Sequence, residues 1–250
     1  MKTVFYILLM MASGTLMAQR PAADNIKTAK GDLIIQPINH ATLSFTWEGK
    51  TIYADPTGGK AFEGIAAPDL ILVTDIHGDH FSAETLVAIS SDKTIIVVPQ
   101  AVFDKLPETL KSKAVVLSND QTITKLNISI TAIPMYNLPE AANAPMHTKG
   151  RGNGYVLTFG NKLIYLSGDT AGIPEMRALK NIDIAFVCMN LPYTMDVNEA
   201  ASAVLDFKPK IVYPYHYRGQ NGWSDTKAFK KLVNDGNKNI EVRLRDWYGK

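Results

Sequence analysis

Short apolar segments constrain the fold of this chain more than any other feature. Residues 70–73 read Leu-Ile-Leu-Val, and residues 94–98 read Thr-Ile-Ile-Val-Val. A strand that carries apolar side chains on both faces has to be covered on both faces. A stretch with helical character follows each segment, at residues 83–90 and 101–111. This part of the chain therefore predicts strands that alternate with covering helices.

Each half of the chain has the same order, with paired strands first and strand–helix alternation second. Residues 42–47 alternate apolar and polar positions, and Glu48-Gly49 makes a turn, which favours antiparallel neighbours. The second half repeats this order after a loop rich in Pro and Asn at residues 134–153. We predict an α/β fold in which two sheets pack face to face with helices on both outer sides. The predicted strands are 33–38, 42–47, 51–54, 70–73, 94–98, 114–117, 126–133, 155–159, 163–166, 182–187, 211–213 and 240–244, and the predicted helices are 83–90, 101–111, 197–207 and 225–233.

The first residues of the chain resemble an export signal. Lys2 gives a basic start, residues 4–11 are apolar, and the small residue Ala18 precedes Gln19. We predict a secretory signal peptide over residues 1–18 and a bacterial protein that is periplasmic or secreted. The alternative is a retained membrane anchor, for which the apolar run is short. A flexible lead-in is expected over residues 19–30, followed by one domain over residues 31–250.

Composition excludes few functions but argues against some partners. The 26 Lys and Arg residues nearly balance the 24 Asp and Glu residues, which leaves a formal net charge of +2. This balance gives no electrostatic reason to expect nucleic acid or an anionic membrane as a partner, so we expect a small-molecule substrate. Cys188 is the only cysteine in the chain, so no intramolecular disulfide can form.

The densest group of chemically active residues follows the apolar strand at 70–73. Asp75, His77, Asp79 and His80 supply four potential metal ligands within six residues. Imidazole nitrogens and carboxylate oxygens are the ligands that zinc and similar divalent ions take in proteins. The alternative is a polar loop rich in His by chance, but two of the five His residues of the chain lie here.

Three later residues are candidates to complete such a site. His147 lies in the loop at residues 134–153, Asp169 follows the predicted strand 163–166, and His216 follows the predicted strand 211–213. A layered α/β fold gathers functional loops at strand ends. Any one of the three alone is more often structural, but together with the first cluster they favour a metal centre.

The order of these pieces resembles the metallo-β-lactamase superfamily over essentially the whole mature chain. It is most similar to the branch that includes the ascorbate-6-phosphate lactonases and many metal-dependent hydrolases. The motifs that carry the resemblance are residues 74–80, His147, Gly168-Asp169-Thr170 and Tyr215-His216-Tyr217, with support from residues 39–42, 54–56, 152–155, 192–195 and Glu199-Ala200. The resemblance implies a four-layer αβ/βα sandwich and a hydrolase that attacks an ester, lactone, amide or phosphodiester.

The resemblance also implies a site for two divalent metal ions. One ion would be held by Asp75, His77 and His147. The other would be held by Asp79, His80 and His216, with Asp169 bridging the pair. A hydroxide between the ions would be the nucleophile, because bound metal lowers the pKa of water to about 7. Asp79 would have the catalytic role of orienting it.

One position departs from the family pattern. Asp75 stands where the family has His. Zn²⁺ remains the expected ion, but three carboxylates around the pair also favour harder ions such as Mn²⁺ or Fe²⁺. Two alternatives stay open. One is a site with a single ion held mostly by Asp79, His80 and His216, and the other is a binding protein that has lost catalysis.

Several other polar and aromatic residues allow two interpretations each. His40 either faces the pocket or caps a turn. Asp55 fits a turn residue that fixes a ligand His by a hydrogen bond. The loop residues Tyr136, Asn137, Lys149 and Arg151 either hold an anionic substrate or are solvated. Trp223 and Trp247 are expected to pack in the core or on the surface.

Overall fold

The structure is a computed structural model that describes residues 20–249. The first sheet contains β1 (Asp24–Thr28), β2 (Gly31–Asn39), β3 (Thr42–Trp47), β4 (Lys50–Ala54), β5 (Leu70–Leu72), β6 (Ile95–Val98) and β7 (Ala114–Val116). The second contains β8 (Thr122–Lys125), β9 (Ile128–Met135), β10 (Gly152–Phe159), β11 (Lys162–Leu166), β12 (Ile184–Cys188), β13 (Ile211–Tyr215) and a last strand at Glu241–Val242. A small hairpin joins β14 (Arg218–Gly219) to β15 (Gly222–Trp223), so the last strand is β16.

The helices lie between and after these strands. They are α1 (Ala83–Ile89), α2 (Gln100–Phe103), α3 (Glu108–Lys111), α4 (Pro174–Arg177), α5 (Val197–Phe207) and α6 (Thr226–Gly236). Short 3₁₀ turns occur at Gly59–Phe62 and Ala144–Met146. Over residues 20–249, every helix is too short or too polar to cross a membrane. The predicted signal peptide at residues 1–18 lies outside the described residues.

Each sheet is antiparallel at one side and parallel at the other. In the first sheet, β1 to β4 pair in antiparallel order, and β4 to β7 pair in parallel. In the second sheet, β8 to β11 are antiparallel, and β12, β13 and β16 continue in parallel. This is the order that the sequence predicts for both halves, hairpins first and crossovers second.

The strand β5 shows why the apolar segments are needed. Leu70 and Leu72 belong to the core between the two sheets. The residues that alternate with them, Ile71 and Val73, belong to a separate apolar cluster beneath α1, α2 and α3. The remaining long helices bury their apolar sides on the second sheet, with Phe207 and Phe229 inside. The predicted four-layer sandwich is confirmed.

The expected flexible lead-in over residues 19–30 is wrong for its second half. Residues 24–28 form β1, which pairs with β2. The Asp24 carboxylate accepts hydrogen bonds from Arg245 Nη2 at 2.6 Å and from Tyr213 Oη at 3.0 Å. Because Tyr213 lies on the second sheet, this contact fixes β1 through residues that are distant in sequence.

The helix predicted over residues 101–111 is also wrong. It is divided into α2 and α3 by Pro107, which has no backbone N–H to continue a helix and instead precedes α3. The sequence did not predict β8, α4 or the β14–β15 hairpin. The strand predicted from Leu126 begins at Ile128, because Leu126 and Asn127 have positive φ angles and form the turn into β9.

Candidate metal centre

Seven predicted ligands come together where loops leave the strands of both sheets. The loop after β5 belongs to the first sheet, and the loops after β9, β11 and β13 belong to the second. Together with His40, these side chains form three groups of three residues. Within each group, every residue offers one potential ligand atom, and these atoms lie within 4.8 Å of one another. The groups are Asp75, His77 and His147, then His80, Asp169 and His216, and finally His40, Asp79 and His216.

The first half of the centre consists of Asp75, His77 and His147. Asp75 and His147 are buried, whereas the side chain of His77 is 42% exposed. Asp75 Oδ2 lies 2.7 Å from His77 Nδ1 and 3.9 Å from His147 Nε2. These are the three residues that the family resemblance implies for one ion.

The second half is built around two imidazoles that face each other. His80 Nε2 lies 3.1 Å from His216 Nε2. Asp79 Oδ2 lies 3.3 Å from His216 Nε2, and the Asp79 side chain is 40% exposed. Asp169 reaches both halves, because its Oδ2 lies 3.4 Å from His80 Nε2 and 3.3 Å from His147 Nε2. Asp169 therefore contacts imidazoles of both halves.

A buried hydrogen-bonded group sets the orientation of His80. The Asp55 carboxylate accepts hydrogen bonds from the backbone N–H and the hydroxyl of Thr74, both at 2.7 Å. Its Oδ2 also lies 2.7 Å from His80 Nδ1. With Nδ1 bound to this carboxylate, Nε2 is directed into the centre. The structure thus shows that Asp55 fixes the ring of His80.

His40 is a turn residue that also contacts Asp79, which lines a cavity. It has a φ of 55° at the turn between β2 and β3, so it is a turn residue. Its Nε2 lies 3.3 Å from Asp79 Oδ2, and its Nδ1 lies 2.6 Å from Tyr248 Oη. Asp55 and His216 also have positive φ angles, which are uncommon outside glycine and cluster at functional sites.

The charges of the cluster depend on one another. Burial raises the pKa of Asp79 and Asp169, but the imidazoles around them outweigh it and hold both carboxyl pKa values below their ordinary range. Burial lowers the pKa of His80, but the Asp169 and Asp55 carboxylates outweigh it and raise this pKa well above 6.5. Without metal, the centre therefore keeps carboxylates charged and holds a proton on His80.

The residues fit a divalent ion by a direct test. His147 Nε2 and Asp169 Oδ1 are buried and make no hydrogen bond among the described residues, although His147 Nε2 lies 3.3 Å from Asp169 Oδ2 and Asp169 Oδ1 lies 3.3 Å from His216 Nε2. Buried polar atoms are nearly always hydrogen-bonded, so these two electron-pair donors have room for a further partner. A ring nitrogen and a carboxylate oxygen both donate electron pairs to a metal, and a cation would pair them together.

Three side chains of the loop between β9 and β10 are paired with carboxylates, those of Tyr136, Lys149 and Arg151. The guanidinium of Arg151 donates from Nε to Asp75 Oδ1 at 3.1 Å and from Nη2 to Oδ2 at 3.0 Å. Lys149 binds Glu175, which also accepts the hydroxyl hydrogen bond of Tyr136. The buried Asn137 donates its backbone N–H to the carbonyl of His147 and supports that loop. Tyr136, Asn137 and Arg151 are held by neighbouring groups, whereas Lys149 is paired with Glu175 and is also 59% exposed to solvent.

Burial raises the pKa of Asp75, but its hydrogen bond with His77 and the positive charges around it, Arg151 among them, lower the pKa below its ordinary value. Asp75 is thus a charged, fully buried carboxylate that is already paired.

The centre opens into a cavity of about 370 Å³. Besides four of the predicted ligands, it is lined by Met146, Asn190 and Tyr193. Sequence reasoning missed Asn190 as a site residue. Its only signal was its position just after β12, where the neighbouring strands also place site residues. The two tryptophans were expected in the core or on the surface, and they differ: Trp247 is buried, whereas Trp223 is 44% exposed.

Comparison with known proteins identifies the family of this chain. Residues 34–216 match the family model described as the Beta-lactamase superfamily domain. The chain belongs to the metallo-β-lactamase superfamily. A UPF0173 metal-dependent hydrolase from Pyrococcus abyssi is 32% identical over 224 residues, which cover 82% of this chain and 94% of that relative.

Solved structures support the same assignment. A crystal structure of a protein assigned as a metal-dependent hydrolase from Parabacteroides distasonis has a TM-score of 0.78 and 36% identity, and covers 90% of this chain and 98% of that one. Igni18, a metallo hydrolase from Ignicoccus hospitalis, has a TM-score of 0.70 at 20% identity over 85% of this chain and 94% of its own, which shows the shared fold. This member of the superfamily is a metal-dependent hydrolase.

Proposed function

We propose that this chain is an exported hydrolase that uses two divalent ions. Zn²⁺ is the expected ion, and Mn²⁺ or Fe²⁺ are the alternatives. Asp75, His77 and His147 would hold one ion, and Asp79, His80 and His216 the other, with Asp169 between them. The observation that carries this proposal is the convergence of His and Asp side chains whose potential ligand atoms lie within 4.8 Å of one another, at a centre that opens into a cavity.

The ions would supply a water nucleophile at neutral pH and polarise the bond to be cleaved. The protein residues would do the positioning. Asp79 is the exposed carboxylate of the centre, and His40 and His216 fix it from two sides. These contacts support Asp79 as the residue that would orient the attacking water.

The cavity lining supports substrates with an uncharged acyl group. Lys149 and Arg151, the cations of the nearby loop, are both bound to carboxylates. The lining residues Met146, Asn190 and Tyr193 are uncharged. We therefore expect esters, lactones or amides as substrates in preference to phosphodiesters, which carry a charge. The resemblance to the ascorbate-6-phosphate lactonase branch supports the lactones in particular.

A hydrolysis screen of the purified full chain tests this function. Nitrophenyl esters, simple lactones, an anilide and a nitrophenyl phosphodiester would each be assayed with added Zn²⁺, Mn²⁺ or Fe²⁺. We expect at least one acyl substrate to be cleaved, with loss of activity in the Asp79→Asn variant. Asp92→Asn, at an exposed position, is the matched control. Equal activity in both variants would contradict the role of Asp79.

The exported location rests on residues 1–18 and has a separate test. Cell fractionation and N-terminal sequencing should find a mature chain that begins at Gln19. A chain that keeps Met1 and stays in the cytoplasm would contradict export.

The alternative of a single-ion site has one observation in its favour. Asp75, which departs from the family pattern, is held by Arg151 and His77. Metal stoichiometry distinguishes a single-ion site from a two-ion site, since a protein with one ion would saturate at one equivalent.

A further inference from the structure

The two halves of the centre differ in what surrounds their carboxylates. Arg151 makes a two-point contact with Asp75, through Nε and Nη2 at 3.1 and 3.0 Å. Such forked contacts are among the strongest between side chains, because both partners are charged and planar. Asp75 is fully buried, and the Arg151 side chain is 18% exposed, so water screens this pair little.

Both oxygens of Asp75 are engaged in this arrangement. Oδ1 accepts from Arg151, and Oδ2 accepts from Arg151 and lies 2.7 Å from His77 Nδ1. An ion that used Asp75 as a ligand would therefore have to share or displace these contacts. It would also lie close to a guanidinium of the same charge sign, which costs electrostatic energy at short range.

The second half has no such competitor. Within residues 20–249, the contacts of Asp79 and Asp169 with positive side chains are with His40, His80, His147 and His216. Imidazoles lose their proton when they become ligands, whereas a guanidinium stays charged. Asp169 Oδ1 makes no hydrogen bond and lies 3.3 Å from His216 Nε2.

Arg151 is held in place by its own loop as well. Its backbone N–H donates to the carbonyl of Thr148, and its Nη2 donates to the carbonyl of Met146. His147 lies between these two carbonyls. The residue that competes for Asp75 and the residue that would share its ion are therefore carried by the same short segment.

We propose that Arg151 and a divalent ion compete for Asp75, so that the two halves of the centre bind ions with unequal affinity. The half with Asp79, His80 and His216 fills first, and the half with Asp75, His77 and His147 fills second and more weakly, with Asp169 between the two. Arg151 is thus a positioning residue that neutralises buried Asp75 while the weak half is empty. The inference rests on the proposed function only in that the centre binds divalent ions.

Zn²⁺ titration of the metal-free full chain against a chromophoric chelator tests this inference. Wild-type protein should bind in two steps that differ by more than tenfold. Arg151→Met should strengthen the weaker step about tenfold or more, the scale on which residues behind metal ligands act. Lys149→Met, which removes another cation of the same loop, should leave both steps unchanged.

A second variant keeps the test decisive if Arg151→Met does not fold. Arg151→Gln keeps a polar side chain but removes the charge and the two-point contact, and should also strengthen the weaker step. A weaker step that is unchanged or lost in both variants would overturn the inference, because Arg151 would then be supporting Asp75 as a ligand. Absence of any Zn²⁺ binding in wild-type protein is a different result, which would overturn the proposed function itself.

Discussion

At the scale of single residues, Asp55 shows how much of this centre depends on a group that faces away from it. Its buried carboxylate accepts two hydrogen bonds from Thr74 and contacts His80 Nδ1. The charge that orients the ring also makes its other nitrogen a better ligand. Sequence reasoning could predict this role, because Asp55 precedes Pro56 in a loop after a strand.

Asp55→Asn should therefore weaken metal binding without removing any ligand. An amide of the same shape carries no negative charge, and its NH₂ group competes for His80. We expect a loss of Zn²⁺ affinity of about tenfold to a hundredfold. Chelator competition measures it, with Asp92→Asn as the control. Equal affinities in the two variants would show that Asp55 only stabilises the fold.

The proton on His80 gives a prediction for pH. Its pKa in the folded, metal-free protein is raised well above 6.5 by Asp169 and Asp55, against the effect of burial. A raised folded pKa stabilises the protein fully below the unfolded value, and this stabilisation is lost as pH rises through the folded pKa. Metal-free protein should thus lose stability above about pH 6.5.

Zn²⁺ binding should also release this proton. Calorimetric titration in buffers of different ionisation enthalpy counts the protons released at pH 7, and we expect about one from His80. His80→Gln lacks the proton, so its metal-free stability should change less over the same pH range. Zinc binding without proton release would contradict the raised pKa.

The residue that the sequence could not place was Arg151. Asp75 was visible as a departure from the family pattern, but its partner lies 76 positions later in a loop without a periodic signal. A forked ion pair of this kind depends on how two loops from different sheets meet. The secondary-structure propensity of each loop carries no information about how the two loops pack together.

At the scale of secondary-structure elements, the sequence predicted strands and helices correctly where apolar residues follow a regular pattern. The apolar run of β5 requires cover on both faces, and the structure provides it with two separate clusters. The sequence failed where long-range contacts decide. Nothing near Asp24 predicts a strand, because the Arg245 that fixes it lies 221 positions away.

Asp24→Asn should accordingly loosen β1. The variant keeps the hairpin with β2 but loses the ionic contacts with Arg245 and the charged acceptor for Tyr213. We expect a loss of about 1–3 kcal/mol in the free energy of unfolding, as for hydrogen bonds to charged groups. Chemical denaturation measures the loss, and hydrogen exchange should show faster exchange in β1. A variant with unchanged exchange in β1 would mean that pairing with β2 alone fixes the strand.

At the scale of the whole molecule, the centre joins the two sheets. Asp75 to His80 follow β5 of the first sheet, whereas Asp169 and His216 follow β11 and β13 of the second. An ion held between them would bind the folded chain and not the unfolded one. Ion binding is therefore coupled to the stability of the entire sandwich.

The most direct test of this account is elemental analysis of the purified full chain before and after incubation with excess Zn²⁺, with the melting temperature recorded on the same samples. We expect at least one equivalent of a divalent transition metal after incubation, approaching two at saturation, and a melting temperature that rises with occupancy and falls with a chelator. A chain that holds no transition metal, takes up none and melts at the same temperature throughout would contradict the metal centre and the hydrolase proposed from it.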